Sequence, residues 1–162
     1  MGGDASRALS ASNAVSECFN SCLLAGRDYG RIELERKLAP HADSAEQMAQ
    51  VLDDLQAKGF ISDERAAASH LHRRADKLGQ ARLLQELRHK GFDADLIAAQ
   101  ADLLQETEEN RLKTVWQKKF AQAPQDAAEK AKHMRFLASR GFAPGLISKW
   151  MRSLGAGAAD EE

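Results

Sequence analysis

Arg82-Leu83-Leu84-Gln85-Glu86-Leu87-Arg88-His89-Lys90-Gly91-Phe92 spells out one helix and its stop. Leu83, Leu84 and Leu87 stand at i, i+1 and i+4, which places them on a single apolar stripe. Arg82, Glu86 and Lys90 recur every four residues beside that stripe, and the order Glu86 then Lys90 suits a helical ion pair. Gly91 ends the run, because glycine enters the left-handed cap conformation without a Cβ clash. Phe92 follows where an apolar residue folds back onto the last turn. The pattern returns from Lys132 to Phe142, 50 residues later, with Leu137 for Leu87, Gly141 for Gly91 and Phe142 for Phe92.

Working outward from this stretch, helical signals fill the chain. A first helix is expected over about 14–25, with Val15, Phe19, Cys22 and Leu23 inward. A second covers about 31–38 and is stopped by Pro40, which cannot continue it. Ser44 and Gln47 have the form of a capping box opening a third, whose stripe is Met48, Val51, Leu52 and Leu55. Ser62 or Asp63 caps a fourth that runs to about Lys77, and Gly79 opens the fifth. Asp93 caps a sixth (Leu96, Ile97, Ala101, Leu104). The acidic run Glu106, Glu108, Glu109 reads as a linker or as an extension of that helix. Leu112, Val115, Trp116 and Phe120 define a seventh helix. Pro124 separates it from an eighth over about 126–140. Pro144 suits the first turn of a ninth, with Leu146, Ile147, Trp150, Met151 and Leu154 inward.

Nine helices in threes align at offsets of 49 and then 50 residues. Leu34, Leu83 and His133 correspond, as do Leu38, Leu87 and Leu137. Met48, Ile97 and Ile147 form a third set, Leu52, Ala101 and Met151 a fourth, and Leu55, Leu104 and Leu154 a fifth. A period near 50 marks a helical repeat protein. The expected fold is all-α: three tandem three-helix units, resembling helix-turn-helix modules, in an elongated, curved array. The boundaries are a disordered leader at 1–13, repeats at 14–61, 62–109 and 110–154, and a disordered acidic tail at 155–162.

Composition agrees with this reading. The 162 residues are 43% hydrophobic and 29% charged, with only one Tyr and three Pro. No apolar run reaches membrane-spanning length and no secretory signal opens the chain, so a soluble cytoplasmic protein is expected. Cys18 and Cys22 are the only cysteines. Two reduced core thiols are expected, with a disulfide or redox role as the alternative.

A net charge of −1 conceals bands. Residues 1–64 carry −5, 65–90 carry +5, 91–110 carry −6, 111–152 carry +8 and the last ten −3. The basic bands fall on repeats two and three. Arg82 matches Lys132 and Lys90 matches Arg140, whereas repeat one has Glu33 and His41 there. The candidate partner-binding residues are Arg65, Arg82, Lys90, Lys132, Arg135 and Arg140, forming a positive strip for an anionic partner. The plain alternative is a solvated charged face.

These residues resemble the RecX family of recombination regulators over about 15–154. Arg27-Asp28-Tyr29-Gly30-Arg31-Ile32-Glu33-Leu34-Glu35-Arg36-Lys37-Leu38 is similar to the family's first-repeat pattern, with Gly30 for the usual Ser. Leu55 through Arg65 resembles its L-x-x-x-G-[LF]-[IL]-x-D-x-R stretch, although Ala66 stands where an aromatic is expected next. Gly79, Arg82, Glu86-Leu87-Arg88 and Lys90-Gly91 resemble its central signature, with Leu83 for Ile. Trp116, Lys119-Phe120 and Lys132 to Phe142 are similar to its third repeat. The resemblance implies a non-enzymatic modulator, connected with DNA repair and the SOS response, that binds RecA and the RecA–single-stranded DNA filament. It would thereby inhibit filament extension, ATP hydrolysis and strand exchange. A monomer without cofactor or metal is expected, with weak DNA binding as a further expectation.

No P-loop, dinucleotide fingerprint, His-Glu-x-x-His or nucleophile elbow occurs. His70 and His72 diverge on a helix, and Asp53-Asp54 and Glu108-Glu109 are adjacent rather than facing, so none forms a catalytic pair. Trp116 and Trp150 sit in apolar stripes and read as core before they read as stacking platforms. Two further readings stay open: a direct nucleic-acid-binding repeat protein, and an adaptor for another acidic partner.

Overall fold

The structure is a computed structural model and describes residues 16–22 and 25–157. The leader at 1–13, Val15, Leu23 and residues 158–162 of the acidic tail lie outside the described residues. Among those described, the secondary structure is wholly helical: α1 (16–22), α2 (Arg31–Leu38), a 3-10 turn (Ala39–His41), α3 (Ala45–Ala57), α4 (Asp63–Arg74), α5 (Gln80–His89), α6 (Ala94–Lys119), α7 (Ala127–Ser139) and α8 (Pro144–Gly157).

Local chemistry accounts for the element ends. The Ser44 hydroxyl accepts from the Gln47 amide at 3.2 Å, and Ser62 accepts from the Arg65 amide at 3.3 Å. Gly91 and Gly141 have φ of 84° and 89°, as their closing positions require. Pro144 begins α8, where its missing N–H costs nothing.

Among the described residues eight helices stand where nine are expected, because the expected sixth and seventh are one. No Gly or Pro occurs between Ala94 and Lys119, so nothing in the backbone breaks α6 at the acidic run. The expected boundary at 109/110 therefore falls inside a continuous helix. At the C-terminus, Gly155 to Gly157 continue α8 rather than opening the tail.

Most of the aligned positions of the repeats are buried in the core, while Leu55, Ala101 and Leu154 are half-buried at its edge. Leu38, Leu87 and Leu137 are each 0% exposed. Leu34, Leu83 and His133 are buried too, as are Met48, Ile97 and Ile147. Ala66 is also buried, so that position is enclosed although its side chain is small.

The chain forms two compact units. The first runs to His70 and takes in Lys90–Phe92. Its core holds Phe19, Cys22, Leu34, Leu38, Met48, Leu52 and Ile61, with α2 packed on α3. The second comprises Leu71–His89 and the chain from Asp93 onward. There α5 packs on α6, while α6, α7 and α8 enclose Leu112, Val115, Trp116, Leu137, Phe142, Ile147 and Met151.

One joint is built twice, once in each unit. In the first, a Cβ on Gly30 would meet the Phe92 ring at 2.7 Å, and one on Gly91 would meet Ile32 at 2.8 Å. In the second, the Gly79 amide donates to the Arg140 carbonyl at 2.8 Å and the Ala81 amide to the Gly141 carbonyl at 3.2 Å. A Cβ on Gly79 would collide with the Gly141–Phe142 backbone, and one on Gly141 with Arg82. The Gly-Phe pair closing one middle helix thus seats on the first turn of the middle helix before it.

Candidate partner-binding surface

Helix α7 carries two of the candidate cations, exposed to solvent. Lys132 and Arg135 are three residues apart, hence on one face, and both are exposed. Among the described residues neither has an ion-pair partner. Arg140 lies at the end of α7 with its guanidinium 5.1 Å from the centroid of the Phe136 ring, and the Lys119 ammonium is 6.0 Å from the same ring. A cation over an aromatic face is attracted by the ring quadrupole, which holds both charges near α7.

Beneath them an aromatic ladder runs into the core. Phe136 meets Phe120 edge-on at 5.4 Å, and Phe120 stacks on His133 at 3.7 Å. The Trp116 indole N–H donates to His133 Nδ1 at 3.3 Å, which leaves the imidazole proton on Nε2. Burial pushes the His133 pKa below its ordinary value, with Lys132 pressing the same way and Glu129 opposing.

The other candidate cations are engaged inside the protein. Arg82 donates to the Ser139 carbonyl at 3.3 Å, where a cation complements the C-terminal end of α7. Lys90 lies past the end of α5 and bonds Glu33 at 3.3 Å, rather than Glu86 four residues back. Arg27 bonds the same Glu33, and Glu86 is instead bound at 2.7 Å by Arg74. The expected Glu86–Lys90 pair fails because α5 stops before Lys90 completes its register. Arg65 donates to the Gly59 carbonyl at 2.7 Å and lies 3.5 Å from the Asp28 carboxylate.

In the second unit, then, Lys132, Arg135 and Arg140 gather on α7 with Lys119 beside them. Arg65 and Lys90 belong to the first unit. Sequence reasoning placed Lys119 and Phe136 in the third-repeat pattern but not among the partner-binding residues. The spacing of Phe136 and Arg140 at i and i+4 was visible, but the return of Lys119 from α6 was not. The arrangement suits binding of carboxylates or phosphates. Among the described residues no group of three His, Cys, Asp or Glu side chains could hold a metal ion, and no helix is long and apolar enough to cross a membrane. Cys18 and Cys22 are free thiols, and burial pushes the Cys22 pKa up, away from the reactive thiolate.

Comparison with known proteins agrees with this architecture. Residues 106–151 match the family model for the third three-helix domain of RecX. The chain is 47% identical over 129 residues to the regulatory protein RecX of Leptothrix cholodnii, covering 80% of this chain and 82% of that one. It is 41% identical over 126 residues to the regulatory protein RecX of Ralstonia pickettii, covering 78% and 79%. The crystal structure of RecX from Lactobacillus salivarius superposes with a TM-score of 0.70 at 23% identity, over 90% of this chain and 99% of that one. A second RecX crystal structure gives 0.66 at 18%, over 91% and 75%. At those identities the two structures speak for the fold alone.

Proposed function

Since this chain belongs to the RecX family of regulatory proteins, we propose that it binds the RecA recombinase and its filament on single-stranded DNA and restrains filament extension, ATP hydrolysis and strand exchange. It does so as a cytoplasmic monomer, by binding, with no chemistry of its own. The observation that carries this reading is 47% identity to a regulatory protein RecX across four fifths of the chain. The exposed cations on α7 support it, because Lys132 and Arg135 have no ion-pair partner among the described residues and suit an acidic or phosphate-bearing surface. Arg82, Lys90 and Arg65 take a smaller share of the contact, being tied to groups of this chain.

The test is the DNA-dependent ATPase of RecA measured with increasing amounts of this protein. The rate should fall to a plateau, and an unchanged rate at saturating protein would overturn the proposal. Direct binding to naked nucleic acid is the second reading, favoured by the same two cations. Its mark is affinity that falls steeply with salt in the absence of RecA.

A further inference from the structure

Within the second unit, α6 and α8 border a cavity of about 180 Å³. Leu112, Leu146 and Trp150 form its apolar lining, and Glu109, Lys113 and Lys149 its charged rim. Three features set it apart from an ordinary surface crease. The indole N–H of Trp150 is buried and makes no hydrogen bond among the described residues. The Lys113 ammonium lies 5.5 Å from the centroid of the Trp150 ring. One carboxylate, Glu109, serves two ammonium groups, Lys113 at 3.0 Å and Lys149 at 3.1 Å.

We propose that this groove receives a short acidic segment of a partner protein, with one leucine-sized side chain flanked by carboxylates. The apolar side chain covers Trp150, Leu112 and Leu146. The flanking carboxylates draw Lys149 and Lys113 away from Glu109. Both ion pairs are solvent-exposed, at 65% for Lys149 and 37% for Lys113, and exposed pairs exchange partners at little cost. A simple anion would engage the lysines and leave the lining wet. A purely apolar segment would cover the lining and leave the rim unanswered. Two lysines sharing one carboxylate leave a net positive rim, so the complement is acidic. The inference deepens the regulatory reading by giving the chemistry of one partner contact.

The probe is a synthetic peptide of alternating aspartate and leucine, titrated into the full chain with tryptophan emission and calorimetry as readouts. It should bind and shift the emission, while the same peptide with serine for leucine should not. Lys149→Glu sets a carboxylate beside Glu109, so the melting midpoint should fall slightly, and binding should weaken about tenfold. Trp150→Phe should remove the emission change and weaken binding while keeping the lining apolar. Arg135→Glu on α7 should bind the peptide as the parent does. Absence of binding by the parent, equal binding of the serine peptide, or parent-like binding by Lys149→Glu would each overturn the proposal. So would an emission shift that follows protein concentration without peptide, which would put a second copy in the groove. RecA is absent from this titration, so a protein that inhibits RecA and ignores the peptide loses this inference alone.

Discussion

His133 occupies the place that Leu34 and Leu83 hold in the other repeats, and it is 5% exposed. A histidine survives there because Trp116 gives Nδ1 a donor and Phe120 covers the ring. Its pKa is lowered from 6.5, chiefly by burial. The sign follows: the unfolded chain binds this proton more readily than the folded one, so stability is lost as pH falls below the ordinary value. Protonation at Nδ1 would also remove the acceptor for Trp116. The melting midpoint should hold at about pH 7.5 and drop toward about pH 5, and His133→Gln, which keeps an acceptor but does not titrate, should flatten the drop. Equal slopes for the two proteins would remove His133 as the cause. The glycines separate what sequence could show from what it could not. The caps at Gly91 and Gly141 were readable from the apolar run they close. Gly79 was readable only as a helix start, because its real constraint is the Gly141–Phe142 backbone pressed against it. Gly59 also has positive φ, but a Cβ there meets nothing within 4 Å. Gly59→Ala should therefore cost only about 1–2 kcal/mol of backbone strain. Gly79→Ala must displace backbone and should cost about 3 kcal/mol or more, read from urea midpoints. If Gly79→Ala proves the milder of the two, the joint is not tightly closed.

At the scale of elements, α6 shows how an acidic run can mislead. Glu106, Glu108 and Glu109 read as a break, yet each stands in one unbroken helix with a different task. Glu106 faces solvent. Glu108 is 6% exposed and accepts from the Gln80 amide at 3.2 Å, closing the first turn of α5 from 28 residues away. Glu109 holds Lys113 and Lys149, which keep its carboxyl below the usual range. Partners so distant in sequence leave no local trace, whereas the apolar period of the same helix was plain. Glu108→Ala should leave the half-buried Gln80 amide without its acceptor and cost about 1–3 kcal/mol. Glu106→Ala should stay within about 0.5 kcal/mol. Chemical denaturation compares them, and equal effects would refute the capping role of Glu108. The middle helices differ in a related way. The first turns of α2 and α5 each receive a Gly-Phe pair from the following repeat. That of α7 is closed by its own side chains: Asp126 accepts from the Glu129 amide at 2.7 Å and Glu129 from the Gln125 amide at 2.8 Å. The repeat lengths were legible because equivalent leucines kept step. The joint was not, since it is made by backbone meeting backbone.

At the scale of the molecule, the charge bands and the repeats were both visible in the sequence, but exposure decides which charges are available. Arg82 and Lys132 look interchangeable under the 50-residue offset. Arg82 is bound to the Ser139 carbonyl, while Lys132 is exposed without an ion-pair partner among the described residues. A ladder of like charges in sequence becomes, in the fold, a mixture of internal ties and outward groups. Removing each kind should have different consequences. Arg82→Glu puts a carboxylate beside the carbonyl end of α7 and should lower the melting midpoint, because a negative charge there opposes the helix dipole. Lys132→Glu combined with Arg135→Glu breaks no ion pair among the described residues and should melt close to the parent. If α7 meets an acidic or phosphate-bearing surface of the RecA filament, that double variant should inhibit RecA ATPase far less than the parent. The gap should be widest at low salt, where attraction between exposed charges is least screened, and should narrow toward about 0.5 M salt, where the screening length falls below about 5 Å. A solvated, uninvolved face predicts parental inhibition at every salt concentration. Full inhibition by the double variant at low salt would therefore exclude α7 as the contact, and the binding would have to be sought on the first unit.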